Sequence, residues 1–340
     1  LKLAAFVARA ASSAQAGKPS PFHEQVNEEV QVAGRKVGRR FLMLLVLFVV
    51  AGCGEVAQSS STTTQTFPLR LTTTKGKVTI PRKPTRIVSL SPTATEDLFA
   101  VGAGSQVVAV DSYSTYPAEA PKTNLSAFTP NIEAIGAYQP DLVIVSDDTN
   151  GVMGQLAKLQ IPTLIEPPVA DLNGVYAQIE QIAQATGHSA QATTVVSGIQ
   201  QKVQSILSSV QRPSRPLSVY HELDQTYYSA NSHTFIGQMY KLLGLENIAD
   251  RVPGSSDYPQ LSAEYIISSD PDLIVLADTV CCGQSLDTVR SRPGWSAIKA
   301  VQAGGVVPVK DEIASQWGPR IVLFLQAVAD ALKKLLAANT

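Results

Sequence analysis

Few residues in this chain are of a type that makes or breaks bonds, and their spacing does not match the usual enzymatic arrangements. The four histidines are His23, His188, His221 and His233. No Gly-x-Ser-x-Gly elbow and no His-Glu-x-x-His pair occurs, so nothing in the pattern aims a serine or a zinc-bound water at a carbonyl. Gly102-Ala103-Gly104 lacks the third glycine of a dinucleotide fingerprint and reads as a helix end. His221-Glu222-Leu223-Asp224 offers imidazole and carboxylate donors that suit zinc or manganese. On that reading the protein carries a free metal ion. The alternative is that the scattered histidines are solvated or core residues. The cysteines are Cys53, Cys281 and Cys282, and none forms a Cys-x-x-Cys pair. These patterns predict a binding protein rather than an enzyme, with no cofactor.

Charge narrows the partners. Lys+Arg number 27 and Asp+Glu 28, a net charge of −1, which gives no electrostatic reason to expect nucleic acid. With 44% hydrophobic and 16% charged residues, the composition suits a folded globular body.

Cys53 has a distinctive setting. Arg35, Lys36, Arg39 and Arg40 precede an apolar run, Phe41–Val50, that ends in Ala51-Gly52-Cys53. A basic segment, a short apolar core and small residues describe an export signal. The run is about half the length that a membrane-spanning helix needs. Val50-Ala51-Gly52-Cys53 resembles the bacterial lipobox, which implies cleavage before Cys53 and a diacylglycerol on its sulfur. Residues 35–52 are therefore expected to be a lipoprotein signal peptide, and 1–34 an upstream extension, with translation starting near Val30 or Val32. Residues 53–66, rich in Ser and Thr, read as a flexible tether. In an exported protein the adjacent Cys281 and Cys282 are candidates for a vicinal disulfide, with two reduced thiols as the alternative.

The remaining elements follow from an internal repeat. Glu133 is separated by six residues from Pro140-Asp141-Leu142-Val143-Ile144-Val145, and Glu264 by six from Pro271-Asp272-Leu273-Ile274-Val275-Leu276. Each copy reads as a short helix stopped before proline, then a strand covered on both faces. Strands are also expected at 86–90, 107–110, 163–165, 217–221 and 306–309, and helices at 93–101 and 234–243. Val195, Val196, Ile199, Val203, Ile206 and Leu207 recur at helical spacing. The fold expected is α/β: two Rossmann-like lobes, 67–188 and 213–340, joined by one long helix over 189–212, with a ligand cleft between them.

Four passages then carry a family resemblance. They are Arg86-Ile87-Val88-Ser89-Leu90-Ser91-Pro92-Thr93-Ala94-Thr95-Glu96; Tyr113-Ser114-Thr115-Tyr116-Pro117; Asn131-Ile132-Glu133 with Pro140-Asp141-Leu142; and Tyr258-Pro259-Gln260-Leu261-Ser262-Ala263-Glu264 with Pro271-Asp272. In this order they resemble the ABC-importer binding proteins for vitamin B12, siderophores and haem. Gly318-Pro319-Arg320-Ile321 fits the family's last helix. The resemblance implies an extracytoplasmic monomer, lipid-anchored to the cell membrane, that delivers an iron–siderophore or cobalamin-like ligand to a permease dimer with its ATPase. It implies Glu133 and Glu264 as permease-docking carboxylates, and Tyr113, Phe128, Tyr228, Glu312 and Trp317 as cleft candidates. Where the B12-binding protein has Asp, Trp and Arg before its last helix, this chain has Glu312, Ile313 and Gln316.

Overall fold

The computed structural model describes residues 65–338 apart from 212, 214, 253 and 255. An antiparallel hairpin opens the described chain, β1 (Leu69–Thr73) and β2 (Gly76–Ile80). Sequence reading began the folded body near here but assigned these residues no strand. They alternate only weakly, with Leu71 and Ile80 buried and most neighbours exposed.

The first sheet holds β3 (Ile87–Leu90), β4 (Val107–Val110), β5 (Leu142–Val145) and β6 (Thr163–Ile165), in the order β4-β3-β5-β6. The second holds β7 (Ser218–Glu222), β8 (Glu246–Asn247), β9 (Leu273–Leu276) and β10 (Val306–Pro308), in the order β10-β9-β7-β8. Both sheets are parallel. They share one topology: β7 takes the place of β3, β8 of β4, β9 of β5 and β10 of β6. The repeat seen in the sequence is thus a repeat of whole lobes.

The Pro-Asp of each repeat fixes where the central strands start. Asp141 accepts the backbone N–H of Thr85 (3.0 Å) and of Arg86 (2.9 Å), at the mouth of β3. Asp272 accepts the N–H of Ser218 at 2.9 Å, at the mouth of β7, and a two-pronged bond from Arg215 at 3.0 and 2.7 Å. In both lobes the carboxylate ties the start of one strand to the start of its neighbour. The ladders then run in step: Ile87 opposite Leu142 in one lobe, Val219 opposite Leu273 in the other.

Between the strands of the first lobe lie α1 (Pro92–Ala100), α2 (Ile132–Gly136), α3 (Val152–Lys158) and α4 (Leu172–Thr186). Ser91 caps α1 by accepting the N–H of Ala94, with Pro92 at its first position. α5 (Ser189–Ser208) is the long helix between the sheets, ending at Ser208 where the expected linker ran to 212. The second lobe adds α6 (Phe235–Leu242), α7 (Ala263–Ser269), α8 (Leu286–Ser291), α9 (Lys299–Gln302), α10 (Asp311–Ser315) and α11 (Ile321–Ala338).

The central strands are buried at every position, and successive side chains face opposite sides of the sheet. Val88, Val143 and Val145 face one apolar cluster with Ile135 and Leu156. Tyr220, Ile274 and Leu276 face another around Trp295. The opposite faces, Ile87, Leu142 and Ile144 in the first lobe and Val219, Leu273 and Val275 in the second, belong to one continuous core. Ile199, Val203 and Ile206 of α5 and Phe324, Val328 and Leu332 of α11, two helices packed on each other, belong to the same core. The lobes are thus fused along a shared apolar layer.

Candidate ligand cleft

In a parallel sheet, ligands sit beyond the carboxyl ends of the strands, where the strand order reverses. Here that point falls between β3 and β5 in one lobe and between β7 and β9 in the other. The segments leaving these ends meet across the lobes. Thr115, in the loop after β4, donates its hydroxyl to Glu312 Oε2 at 3.2 Å. Arg320, leading into α11, reaches back to α1, with Nη2 and Nε donating to Glu96 Oε1 and Oε2 at 2.6 and 3.0 Å. Its Nη1 donates to Glu312 Oε1 at 3.1 Å. The ring of Tyr116 covers the guanidinium at 3.8 Å. Gly318 makes room for this approach, since a Cβ there would stand 3.3 Å from Glu96 Oε2.

This floor is charged and poorly hydrated. Burial raises the Glu96 carboxyl above its ordinary range, and the hydrogen bonds and charge of Arg320 pull it back only partly. Sequence reading placed Glu96 and Arg320 only inside motif passages and gave neither a role. The available signal was an acid on the buried side of α1.

The predicted site residues fall into distinct places. Tyr113 and Phe128 come together edge to face, with ring centroids 5.3 Å apart, both half-buried on the first lobe. Tyr228, after β7, is 37% exposed and bridges to Gln260 through its backbone. Glu312 lies in the cross-lobe floor. Trp317 is only 8% exposed, packed into the shared core. Its indole N–H donates to Gln178 Oε1 on α4 at 3.0 Å. The structure therefore places Trp317 at the lobe junction and not on an open wall, because its ring is apolar on every side but that one. Cys53 lies outside the described residues.

Glu133 and Glu264 occupy the first turns of α2 and α7, both exposed. Asn131 and Ser262 cap the two helices in the same way, accepting the N–H of Ala134 and of Tyr265. The Glu264 carboxyl sits below its ordinary range, held first by its own backbone N–H and then by Ser262.

Cys281 and Cys282 are paired in the loop after β9, beside Val280, which is 70% exposed. Asp311 holds this loop, accepting the N–H of Val280 at 2.8 Å and of Cys281 at 2.7 Å. The next residue is Glu312, so the cysteine loop borders the floor. Behind it, Asp278 is fully buried with neither carboxyl oxygen bonded. Burial, then the nearby Glu222 charge, pushes it up to about 7.

The metal reading of His221-Glu222-Leu223-Asp224 is not supported by this geometry. Strand alternation sends His221 against Tyr240 and Phe324, and Glu222 to the opposite face. His221 Nδ1 shares a 2.5 Å hydrogen bond with Tyr240, and burial lowers its pKa to about 3. Glu222 is bound at both oxygens by Arg292, 2.6 Å each. Among the described residues no group of three His, Cys, Asp or Glu lies together as a metal site would require. Trp295, read from the sequence as packing, is fully buried under Arg292.

A sequence profile for periplasmic binding proteins matches residues 87–313, from the first strand of the first sheet to the cross-lobe floor. The chain belongs to the periplasmic binding protein family. The family supplies the extracytoplasmic substrate-binding component of ABC transporters and is not an enzyme family. One relative is an uncharacterised ABC transporter substrate-binding lipoprotein of Bacillus subtilis, 28% identical over 88% of this chain and 97% of its own. Another is a cobalamin-binding protein of Halobacterium salinarum, 32% identical over 75% of this chain and 71% of its own. Among solved structures, the periplasmic haem-binding protein of Vibrio cholerae superposes with a TM-score of 0.65 at 25% identity, over 73% of this chain and 98% of that one. Among the described residues no helix is long and apolar enough to cross a membrane.

Proposed function

We propose that the protein is a lipid-anchored binding protein for a bulky metal chelate of the corrinoid class, which it hands to an ABC permease dimer with its ATPase. The observation that carries this reading is the lining of the strand ends. The supporting groups are the edge-to-face pair Tyr113–Phe128 on one lobe, half-exposed Tyr228 on the other, and the contacts of Glu312 with Arg320 and Thr115 that join the lobes. Aromatic faces with a few fixed polar groups suit a large ring system with polar side arms. A bare hydrated cation would need a cluster of hard ligands. The Halobacterium relative named for cobalamin binding supports the same class. A ferric siderophore is the second reading, since its size and polar rim suit the same lining. Native mass spectrometry against cyanocobalamin, haemin, a ferric hydroxamate and free metal ions tests this. Retention of cyanocobalamin is expected; retention of a bare metal ion, or of nothing, would sink the proposal.

Lipid anchoring through Cys53 is part of the same reading. The Bacillus lipoprotein aligns with 88% of the chain, more than lies between Phe67 and the C-terminus, so the alignment reaches into the upstream stretch. Cys53→Ala is expected to abolish labelling by a fatty-acid analogue; equal labelling of both forms would remove the anchor.

Docking rests on equivalence. Glu133 and Glu264 stand exposed in the same turn of equivalent helices on a monomer of two like lobes, which suits two-point engagement of permease arginines. Charged interface pairs carry couplings of about 1.5 kcal/mol or more. Each single Ala variant should lower uptake and the double variant should lower it further, with ligand affinity unchanged. Normal uptake by the double variant at wild-type expression would overturn the assignment.

A further inference from the structure

A cavity lies beyond the carboxyl end of edge strand β6 of the first lobe, reaching Gln178, the partner of Trp317 at the lobe junction. It is a groove of about 610 Å³ between the β1 hairpin and α4, running along the segment after edge strand β6. Thr72 and Thr74 form one wall, Pro167 and Pro168 the end, and Gln181 part of the helix side. Its volume falls within the range of small-molecule sites.

Glu166 gives this groove its chemistry. It directly follows β6, lines the groove, and is 4% exposed. Its N–H continues the sheet to Val145 O at 2.8 Å, but its Oε1 has no hydrogen-bond partner. A buried carboxyl oxygen left without a partner is costly unless a bound group satisfies it. The lining contains one other ionisable residue, Glu180, and no Lys, Arg or His. On α1, packed against α4, Asp97 also faces Glu166 and has Oδ1 unbonded, while the neighbouring Glu96 is neutralised by Arg320. The field in the groove is therefore negative wherever these carboxyls ionise, with no cation built in to balance it.

We propose that this groove is a second binding site, taking the ammonium group of a small organic amine with the Glu166 carboxylate as its counter-ion. A metal ion is disfavoured by the lack of any described group of three ligating side chains. A neutral polyol would leave the carboxyls without a counter-charge. Gln178 and Gln181 are bonded to Pro167 O and Thr72 O, so Thr72, Thr74 and Gln184 are the lining groups that suit a second polar end of the ligand, and Pro167, Pro168 and Val169 suit its methylenes. Burial pushes Glu166 up to about 8, so the empty site holds a proton at neutral pH. An incoming ammonium must release that proton, and binding should therefore tighten as pH rises toward 8 and level off above it.

The test is calorimetric titration of the purified protein with butylamine and putrescine, with 1-butanol and 1,4-butanediol as uncharged controls, in buffers of differing ionisation enthalpy. We expect the amines to bind and the alcohols not to. About one proton should be released at pH 7, falling to none near pH 9.5. Glu166→Gln should weaken amine binding by about tenfold or more, the loss of one charge-assisted hydrogen bond. No amine binding up to millimolar concentration, equal binding of amine and alcohol, or undiminished binding by Glu166→Gln would each overturn the proposal. Should the variant fold poorly, proton release by the unaltered protein decides alone: its absence at pH 7 would be sufficient to reject the site.

Discussion

Arg320 is 16% exposed at its side chain, and the Glu96 it binds is 2% exposed. Removing one partner of such a pair leaves a charge in a poorly hydrated place, a loss of about 3–5 kcal/mol. Arg320→Met should therefore destabilise strongly, while Arg320→Met with Glu96→Gln should recover much of the loss. Denaturant melts of the single and double variants check this, and a double variant as weak as the worse single would contradict it. Glu166 gives a pH signature of its own. Its folded pKa of about 8 lies above the ordinary carboxylate value, so the folded state keeps a proton that the unfolded state releases. Stability from this group is full below the unfolded pKa of about 4.3 and is lost as pH rises through 8. Glu166→Gln should flatten that decline in thermal melts between pH 5 and 9; an unchanged slope would refute it. For the loop cysteines, intact-mass analysis of unreduced protein should fall short of the dithiol mass by two hydrogens. At this scale motif position singles out Tyr113 and Phe128 as cleft candidates, and their rings meet edge to face. Arg320 and Glu96 were not paired, because 224 residues separate them and no local pattern reports a contact made across two lobes.

At the scale of elements, the repeated Pro-Asp marks strand starts more reliably than strand composition does. Asp272→Ala removes the acceptor for the Ser218 N–H and should cost about 1–3 kcal/mol. Burial raises the Asp272 pKa, but bonds from Arg215 and Ser218 outweigh it, and the net direction is downward. This stabilisation is full above the unfolded value of about 3.9 and disappears as pH falls through the folded one. The variant and the parent should therefore differ in melting temperature at pH 7, and the gap should narrow steadily as pH falls below the unfolded value. A gap independent of pH in acid would show that the carboxylate is not the strap. The central strands were legible because four consecutive β-branched or leucine residues after Pro-Asp admit no exposed face. The β1 hairpin and the two-residue β8 were not, since neither carries a period long enough to read.

For the whole molecule, the shared core and the cross-lobe floor predict a body that closes by small adjustments. α5 and α11 pack on each other inside a core that both lobes share, and a wide hinge motion would expose that layer to water. Solution scattering with and without bound ligand should show a change in radius of gyration below about 1 Å, in line with preorganised binders. A contraction of several ångströms would show instead that the lobes part along the core. The two-lobe plan was legible from the repeat. The fusion of the lobes was not, because it depends on which face of each strand points inward, and strands buried on both faces read the same either way.

The continuous core also bears on the order in which the molecule can assemble. α11 is the last described helix, yet Phe324, Leu325, Val328 and Leu332 fill the layer that Ile199, Val203 and Ile206 leave open on α5. α11 packs against α5, α10 and β10, so the part of the core around these elements is completed last. The core is continuous across both lobes, so heating should give a single cooperative transition with no intermediate in which one half has melted. A chain cut before Ile321 should lose the apolar surface that α11 supplies and melt at a lower temperature, and a newly made chain should keep that part of its core exposed until α11 has emerged.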